Sequence, residues 1–257
     1  MNTVLAGVLL QVVLTVIIPI VFLIVLLVKK MFTWKAFGAG ILIFILFSQI
    51  LEKLLHIAVL APTGTALKWT GNPYMFAVYG ALAAGVFEEV GRYFAFRVML
   101  KNNRAYKDGL SYGLGHGGTE SVLIGAFSAV NTLVIYFLIK SGSLEQTLGA
   151  AIPQEQLHLI KEQLANSHLW LFAAGGMERL FAIALHIALS ILVLIAVREK
   201  QWKYLMYAIL FHAAANFLPG LYQAGVITSL LFVEIILLII AVISVVFTYR
   251  MNRRFQQ

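Results

Sequence analysis

Apolar stretches long enough to cross a lipid bilayer recur along almost the whole chain. A transmembrane helix needs about 20 predominantly apolar residues, and uncharged runs near this length are typical of membrane spans. Hydrophobic residues make up 61% of the 257 residues and charged residues only 12%, about half the share in a soluble domain. We therefore predict an all-α, polytopic transmembrane helical bundle.

The hydropathy pattern predicts seven spans within one integral membrane domain, residues 1–257. The spans are expected over residues 3–28, 36–60, 73–100, 109–139, 168–197, 203–219 and 222–248. Absence of cysteine excludes disulfides, thiolate catalysis and cysteine-ligated zinc.

Lysine and arginine alternate between the two sides of these spans. Twelve lie in the loops after the first, third and fifth spans or at the end of the chain, and three lie in the opposite loops, at Lys68, Lys140 and Lys161. Because positive residues are retained in the cytoplasm, the N-terminus is predicted outside and the C-terminus in the cytoplasm. The net charge of +8 then reflects contact with anionic lipid, and no nucleic-acid surface is expected.

One sizeable loop, about residues 140–167, falls on the predicted outer side. Its segment "PQEQLHLIKEQLAN" has Leu157, Ile160 and Leu164 at helical spacing, and Pro153 suits a first helical turn. This pattern indicates a short amphipathic helix. It either lies on the outer membrane surface or packs on the bundle without touching lipid.

Ionisable residues inside the spans share two depths. An ionised group at the bilayer centre costs about 2.5–3.5 kcal/mol, so such residues usually have a function. Four polar residues lie 12 or 13 positions from the nearest charge on the cytoplasmic side: Glu88, Glu120, His186 and Asn216. At about 1.5 Å per residue, this is a common depth of roughly 18–20 Å. Arg92, His116 and His212 share a second depth, eight or nine positions from the nearest such charge. Shared depth in four spans predicts one buried site.

Sequence spacing also predicts which side chains share a helix face. Three pairs are four residues apart: Glu88 with Arg92, His116 with Glu120, and His212 with Asn216. Each pair could equally be a structural link between helices. Glu88 and Glu89 are consecutive and point about 100° apart, so they are expected to differ in role. We expect Glu88 to face a reaction cavity and Glu89 to pair with Arg92 or a neighbouring helix.

Glutamate and histidine at one depth are suited to activating water. A desolvated glutamate can act as a general base, a histidine can hold or relay the proton, and Asn216 could donate to the oxyanion. Our leading expectation is a peptidase without a cofactor. Zinc is the alternative, with the ligands His116, Glu120, His186 and His212. The HExxH motif of zinc proteases does not occur in the sequence.

Two other functions use the same residue types. A proton-coupled transporter needs carboxylate and histidine relays, although no internal repeat is visible. The glycine-rich "GLGHGGTE" could be the helix break of such a transporter or a close helix contact. A non-catalytic scaffold or chaperone for another membrane protein is the remaining alternative.

The segments "FEEVGR", "GLGHGGTES", "ERLFAIALH" and "FHAAANF", in this order, resemble the YhfC-type membrane proteins. This family is related to PrsW proteases, to CAAX-processing and bacteriocin-processing proteases, and to the anterior-pharynx-defective scaffold subunit of gamma-secretase. The resemblance covers about residues 74–219. It implies an intramembrane protease in a bacterial cell membrane that hydrolyses membrane-protein or membrane-peptide substrates.

The resemblance also implies roles for individual residues. Glu88 and Glu89 would be its paired glutamates, with Glu88 the water-activating base and Arg92 their positive partner. His116 and Glu120 match its second motif. His212 and Asn216 match its last motif, as the residues that hold water and donate to the oxyanion. His186, in the segment "ERLFAIALH", is a further candidate for a catalytic residue.

Overall fold

A computed structural model describes residues 2–150 and 152–256. Within this part of the chain the fold is all-α and contains no β-strand, as predicted. The helices are α1 Thr3–Val28, α2 Trp34–Val59, α3 Pro73–Phe94, α4 Tyr106–Ser141, α5 Leu144–Leu148, α6 Gln154–Ala165, α7 Leu169–Glu199, α8 Trp202–Gln223 and α9 Leu230–Arg254.

Six helices of the described residues are long and apolar enough to cross a membrane: α1, α2, α4, α7, α8 and α9. Helix α3 has 22 residues and continues into a π-helical turn, Ala95–Met99. It carries Glu88, Glu89 and Arg92, which lower its hydropathy. The chain is a multi-pass membrane protein; the seventh span and the orientation of the termini stay predictions.

The start of α3 follows from local side-chain chemistry. Asn72 caps the helix, since its side-chain oxygen accepts hydrogen bonds from the backbone N–H groups of Tyr74 at 2.9 Å and Met75 at 3.2 Å. Pro73 occupies the first helical turn, where a missing N–H costs nothing. These residues fix where α3 begins, and thereby the register of its charged residues along the helix.

Glycines let the backbone of α4 approach its neighbours around His116. A Cβ atom on Gly115 would lie 2.2 Å from the Phe37 carbonyl oxygen of α2, and one on Gly113 would lie 2.5 Å from Ile187 Cα of α7. Helix α4 continues unbroken through this stretch. The glycine-rich segment is therefore a close helix contact and not a helix break.

The boundary between the last two helices differs from the prediction. Helix α8 continues past Pro219 to Gln223, and α9 begins at Leu230 rather than near residue 222. Proline removes only one hydrogen bond near the end of α8, which the helix tolerates. The break comes where Gly225 adopts a φ of 74° and Ser229 caps α9 by accepting from the Phe232 N–H at 3.2 Å.

The described chain separates into two compact units, whose boundaries fall inside α1, α4 and α7. One unit contains residues 2–22, 120–150 and 152–180, and the other contains residues 23–119 and 181–256. The core of the second unit is formed by buried apolar residues of α2, of the π-helical turn after α3, and of α4, α7 and α8. The prediction of a single membrane domain is not tested by this division.

The first unit contains the predicted loop helix. Helix α6 begins directly after Pro153, as the sequence indicated. Leu157 is buried, and Leu164 packs against a core that includes Val4, Val8 and Tyr136. Leu157 and Leu164 thus pack on protein, as in the packed alternative, and Ile160 is half-buried. Its predicted location on the outer side stays a prediction.

Candidate active site

Four helices of the second unit bring one carboxylate and three imidazoles together. His116 Nε2 of α4 donates a hydrogen bond to Glu88 Oε2 of α3 at 2.8 Å. The same carboxylate oxygen lies 3.8 Å from His186 Nδ1 of α7 and 3.9 Å from His212 Nε2 of α8. Glu88 is therefore the centre of the cluster.

Glu89 and Arg92 form a second layer behind Glu88. Arg92 Nη1 lies 3.1 Å from Glu89 Oε2, and both side chains are fully buried. His212 Nδ1 donates to Glu89 Oε1 at 2.7 Å. Arg92 Nη2 donates to His186 Nδ1 at 3.0 Å. The adjacent glutamates thus have different partners, and Glu89 contacts both Arg92 and a neighbouring helix.

The second layer fixes the tautomers of two histidines. Arginine can only donate, so His186 Nδ1 accepts and the neutral ring carries its proton on Nε2. The Glu89 carboxylate can only accept, so His212 holds a proton on Nδ1. A neutral His212 ring therefore presents the lone pair of Nε2 on the side that faces Glu88.

The cluster is closely packed and excluded from the surface. The ring centroids of His116 and His186 are 4.7 Å apart, and those of His186 and His212 are 5.3 Å apart. Phe44 of α2 packs edge-on against His116 with a centroid separation of 5.1 Å. Glu88 is 6% exposed, and the three histidines are at most 2% exposed. Electrostatic interactions here are stronger than in water because the surroundings are apolar.

Glu88, Glu89 and Arg92 are two carboxyl groups and one guanidinium, all buried. With both carboxyl groups ionised, one negative charge is left over among the three. Burial of a net charge is costly unless an opposite charge compensates it. The site is therefore electrostatically suited to hold a proton on a histidine or a bound cation.

Two predicted site residues make other contacts. Glu120 lies one turn after His116 on α4 and accepts a hydrogen bond from Arg179 Nη1 at 2.9 Å. Arg179 also pairs with the neighbouring Glu178. Asn216 lies one turn after His212 on α8 and lines a separate cavity. The structure thus brings Glu88, Glu89, Arg92, His116, His186 and His212 into direct contact.

Metal-ligand atoms also converge here. Glu88, His116 and His186 each offer one such atom, and these atoms lie within 4.8 Å of one another. A carboxylate with two imidazoles is a common donor set of catalytic zinc. This set contains Glu88, which our predicted zinc ligands omitted, and lacks His212, which they included.

Sequence reasoning missed Tyr112 of α4. Its ring is fully buried. The ring centroid of Tyr112 lies 6.1 Å from that of His116 and 5.9 Å from the guanidinium carbon of Arg92. Tyr112 precedes His116 by one helical turn. An aromatic residue four positions before His116 was the only sign of this contact in the sequence. An ordinary core residue of a helix gives the same pattern.

Most of the chain is similar to known proteins. The family described as YhfC intramembrane metalloprotease matches residues 14–237. The uncharacterized membrane protein YhfC of Bacillus subtilis (strain 168) is 40% identical over 222 residues, which cover 86% of each chain. No solved structure matches. The matched range contains every residue of the buried cluster, and the chain belongs to the YhfC intramembrane metalloprotease family.

Proposed function

We propose that this protein hydrolyses peptide bonds of membrane proteins or membrane peptides within the bilayer. The observation that carries the proposal is the buried cluster of Glu88 with His116, His186 and His212 on four different helices. Such a cluster costs stability in a membrane protein, so a catalytic role is the natural reason for its presence.

Glu88, His116 and His186 would hold a divalent metal ion, for which we propose zinc. Their donor set and their proximity support this assignment. Glu120, one turn after His116 on α4, is the candidate for a further ligand, since residues four apart share a helix face. When bound, zinc supplies Lewis acidity and lowers the pKa of a coordinated water molecule.

Arg92 sets a condition on metal binding. It donates to His186 Nδ1 at 3.0 Å, and a nitrogen that binds a metal cannot accept this hydrogen bond at the same time. Glu89 offers Arg92 a second partner at 3.1 Å. Arg92 therefore can keep its charge compensated by Glu89 when it releases the His186 ring.

His212 is the proposed proton carrier. Its Nδ1–H is held by Glu89, so Nε2 can accept a proton from the attacking water and later donate it to the leaving amine. Glu89 orients the ring and stabilises the imidazolium that forms. Glu89 and Arg92 are therefore positioning residues in this proposal.

A metal-free version of the same hydrolysis is the second candidate. It is favoured by the direct hydrogen bond of 2.8 Å between His116 Nε2 and Glu88 Oε2. In this version Glu88 itself accepts the proton of water, and His116 holds the carboxylate in place. Both versions require Glu88, but only the first requires a metal.

The proposal is tested with the purified full-length protein in lipid vesicles and a panel of single-span peptide substrates. Glu88→Gln should lower the cleavage rate by about 10²–10⁴-fold, since a general base or a ligand is lost. Glu155→Gln, on the exposed face of α6, is the matched control and should leave the rate unchanged. Equal cleavage by wild type and Glu88→Gln would exclude both versions.

A chelator separates the two versions. Loss of cleavage with a chelator and its return with zinc would support the metal site, while full activity in the chelator would support the metal-free version. Metal content of wild type and of His116→Ala, measured on the purified protein, gives a readout that is independent of activity.

A further inference from the structure

A polar cavity lies on the contact between α3 and α8, the two helices that also carry Glu88 and His212 of the buried cluster. It measures about 310 Å³, at the lower end of the range of ligand pockets. Its polar lining consists of His56 of α2, Tyr79 of α3, and Asn216 and Gln223 of α8. The proposed hydrolysis does not use these side chains.

The cavity begins close to the cluster. Ala81, which lines it, precedes Glu88 by seven residues on α3, or about 10 Å along the helix. Asn216 follows His212 by four residues on α8, or about 6 Å. A peptide that reaches Glu88 along this contact would therefore place its neighbouring residues in the cavity.

An ion-pair contact and a hydrogen bond connect three side chains at one side of the cavity. Glu52 Oε1 lies 3.3 Å from His56 Nε2, and Tyr79 Oη lies 2.8 Å from His56 Nδ1. With the proton of His56 on Nε2, which faces the Glu52 carboxylate, Nδ1 accepts and the Tyr79 hydroxyl donates to it. The lone pairs of the Tyr79 oxygen are then available to accept a hydrogen bond from a ligand.

We propose that this cavity binds the main chain of an unwound membrane-peptide substrate beside the bond that is cleaved. A helix must unwind before its peptide bond can be attacked, and its freed N–H and C=O groups then need partners, since the bilayer offers none. Tyr79 supplies an acceptor, and the Asn216 and Gln223 amides supply both donors and acceptors. The assignment rests on the proposed peptidase function and names a substrate subsite for it.

Occupancy of the cavity is tested by cysteine labelling, because the chain contains no cysteine. Gln223→Cys is placed in the Glu88→Gln background, which binds without turnover, and is labelled in vesicles with a charged thiol reagent. The probe is a synthetic single-span peptide of about 25 residues with a central Gly-Gly pair. Asn102→Cys, exposed in the polar turn after α3, is the matched control.

We expect both cysteines to be labelled, and we expect the peptide to slow labelling at Gln223→Cys at least threefold, with no protection at Asn102→Cys. Absence of labelling at Gln223→Cys would show that the cavity is closed to water. Labelling that the peptide does not slow would show an aqueous vestibule. Either result would overturn the subsite.

The predicted acceptor is tested by exchanging single amides of the probe for esters, which removes one N–H each time. At least one ester should weaken binding to the Glu88→Gln protein by about two- to tenfold, and the same ester should have no effect once Tyr79→Phe is added. Tyr222→Phe, a neighbouring exposed tyrosine of α8, is the control and should retain the ester effect. An equal ester effect with and without the Tyr79 hydroxyl would exclude this contact.

These outcomes distinguish the subsite from the function. Peptide protection of Gln223→Cys without any cleavage by the wild-type protein would keep the subsite and remove the peptidase. Cleavage by the wild type without protection, and with no change in KM for Tyr79→Phe, would keep the peptidase and remove the subsite.

Discussion

Arg92 connects the two layers of the buried cluster. Its guanidinium is fully buried and contacts the Glu89 carboxylate and the His186 ring at 3.1 and 3.0 Å. Arginine suits this position because it stays charged when buried and its fixed geometry can serve several acceptors at once. The orientation of two catalytic candidates, His186 and His212, depends on this Arg92–Glu89 pair.

Arg92→Met should destabilise the protein by about 3–5 kcal/mol, because it leaves the buried Glu89 charge uncompensated by Arg92. The double substitution Glu89→Gln with Arg92→Met should recover part of this loss. The midpoint of thermal unfolding in detergent measures both effects. If the double variant is at least as unstable as the single one, the charge pair is not the reason for the loss.

His212→Gln should lower kcat by about 10²–10⁴-fold with little change in KM. The glutamine amide can still donate to Glu89 Oε1, as His212 Nδ1 does now at 2.7 Å, but it cannot accept and return a proton. Steady-state cleavage of a single-span peptide measures both constants. Retention of wild-type kcat would exclude His212 as the proton carrier.

At the scale of elements, small residues on α4 position the histidines. A Cβ atom on Gly117 would lie 3.0 Å from His186 Cβ and 3.1 Å from Ile183 Cα. The neighbouring Gly118 has room, since its Cβ atom would lie 3.6 Å from Leu114 Cδ1, an ordinary van der Waals contact. The same helix thus offers two adjacent glycines with opposite environments.

Gly117→Ala should displace α7 by a few tenths of an ångström and reduce cleavage by about tenfold, because catalysis is sensitive to small misplacement. Gly118→Ala should keep wild-type activity and gain about 0.5–1 kcal/mol of stability, as alanine is favoured within helices. Cleavage rate and thermal unfolding of the two variants, measured side by side, provide the test. Equal activity of both variants would mean that the α4–α7 contact does not position His186.

At the scale of the whole molecule, the membrane orientation decides from which side the site is reached. Twelve basic residues on one predicted side against three on the other favour an external N-terminus and a cytoplasmic C-terminus. This orientation requires α3 to span the membrane in addition to the six helices of sufficient apolarity. The charged residues of α3 are then at membrane depth.

Reporter fusions in bacterial cells test this prediction. A fluorescent protein that folds only in the cytoplasm should be active at the C-terminus and inactive at the N-terminus. A phosphatase that folds only outside should show the reverse. Activity of the same reporter at both ends would mean an even number of spans and would remove α3 from the membrane-spanning set.

The residues of the cluster could be identified from the sequence, but most of their partners could not. Spacing from the nearest charge measures depth, and this placed Glu88 and His186 together. It also gave the same depth to Asn216, which lines the cavity between α3 and α8, and to Glu120, which accepts a hydrogen bond from Arg179. Depth leaves the rotation of each helix about its axis undetermined, and that rotation decides which side chains meet.

The sequence by itself determined the membrane class, the all-α fold and the set of buried ionisable residues. It could do so because the free energies of exposing apolar groups to water and of burying charges in lipid depend on the residues of each segment and not on how the segments pack. The sequence also predicted that Glu89 pairs with Arg92 or with a neighbouring helix, and the tertiary structure decided that it does both, with Arg92 at 3.1 Å and His212 of α8 at 2.7 Å. The tertiary structure also decided that Glu88 joins the metal-ligand atoms of His116 and His186. The physical reason is packing: glycines on α4 and α3 set how closely the helices approach, and the approach sets which atoms come within hydrogen-bond distance.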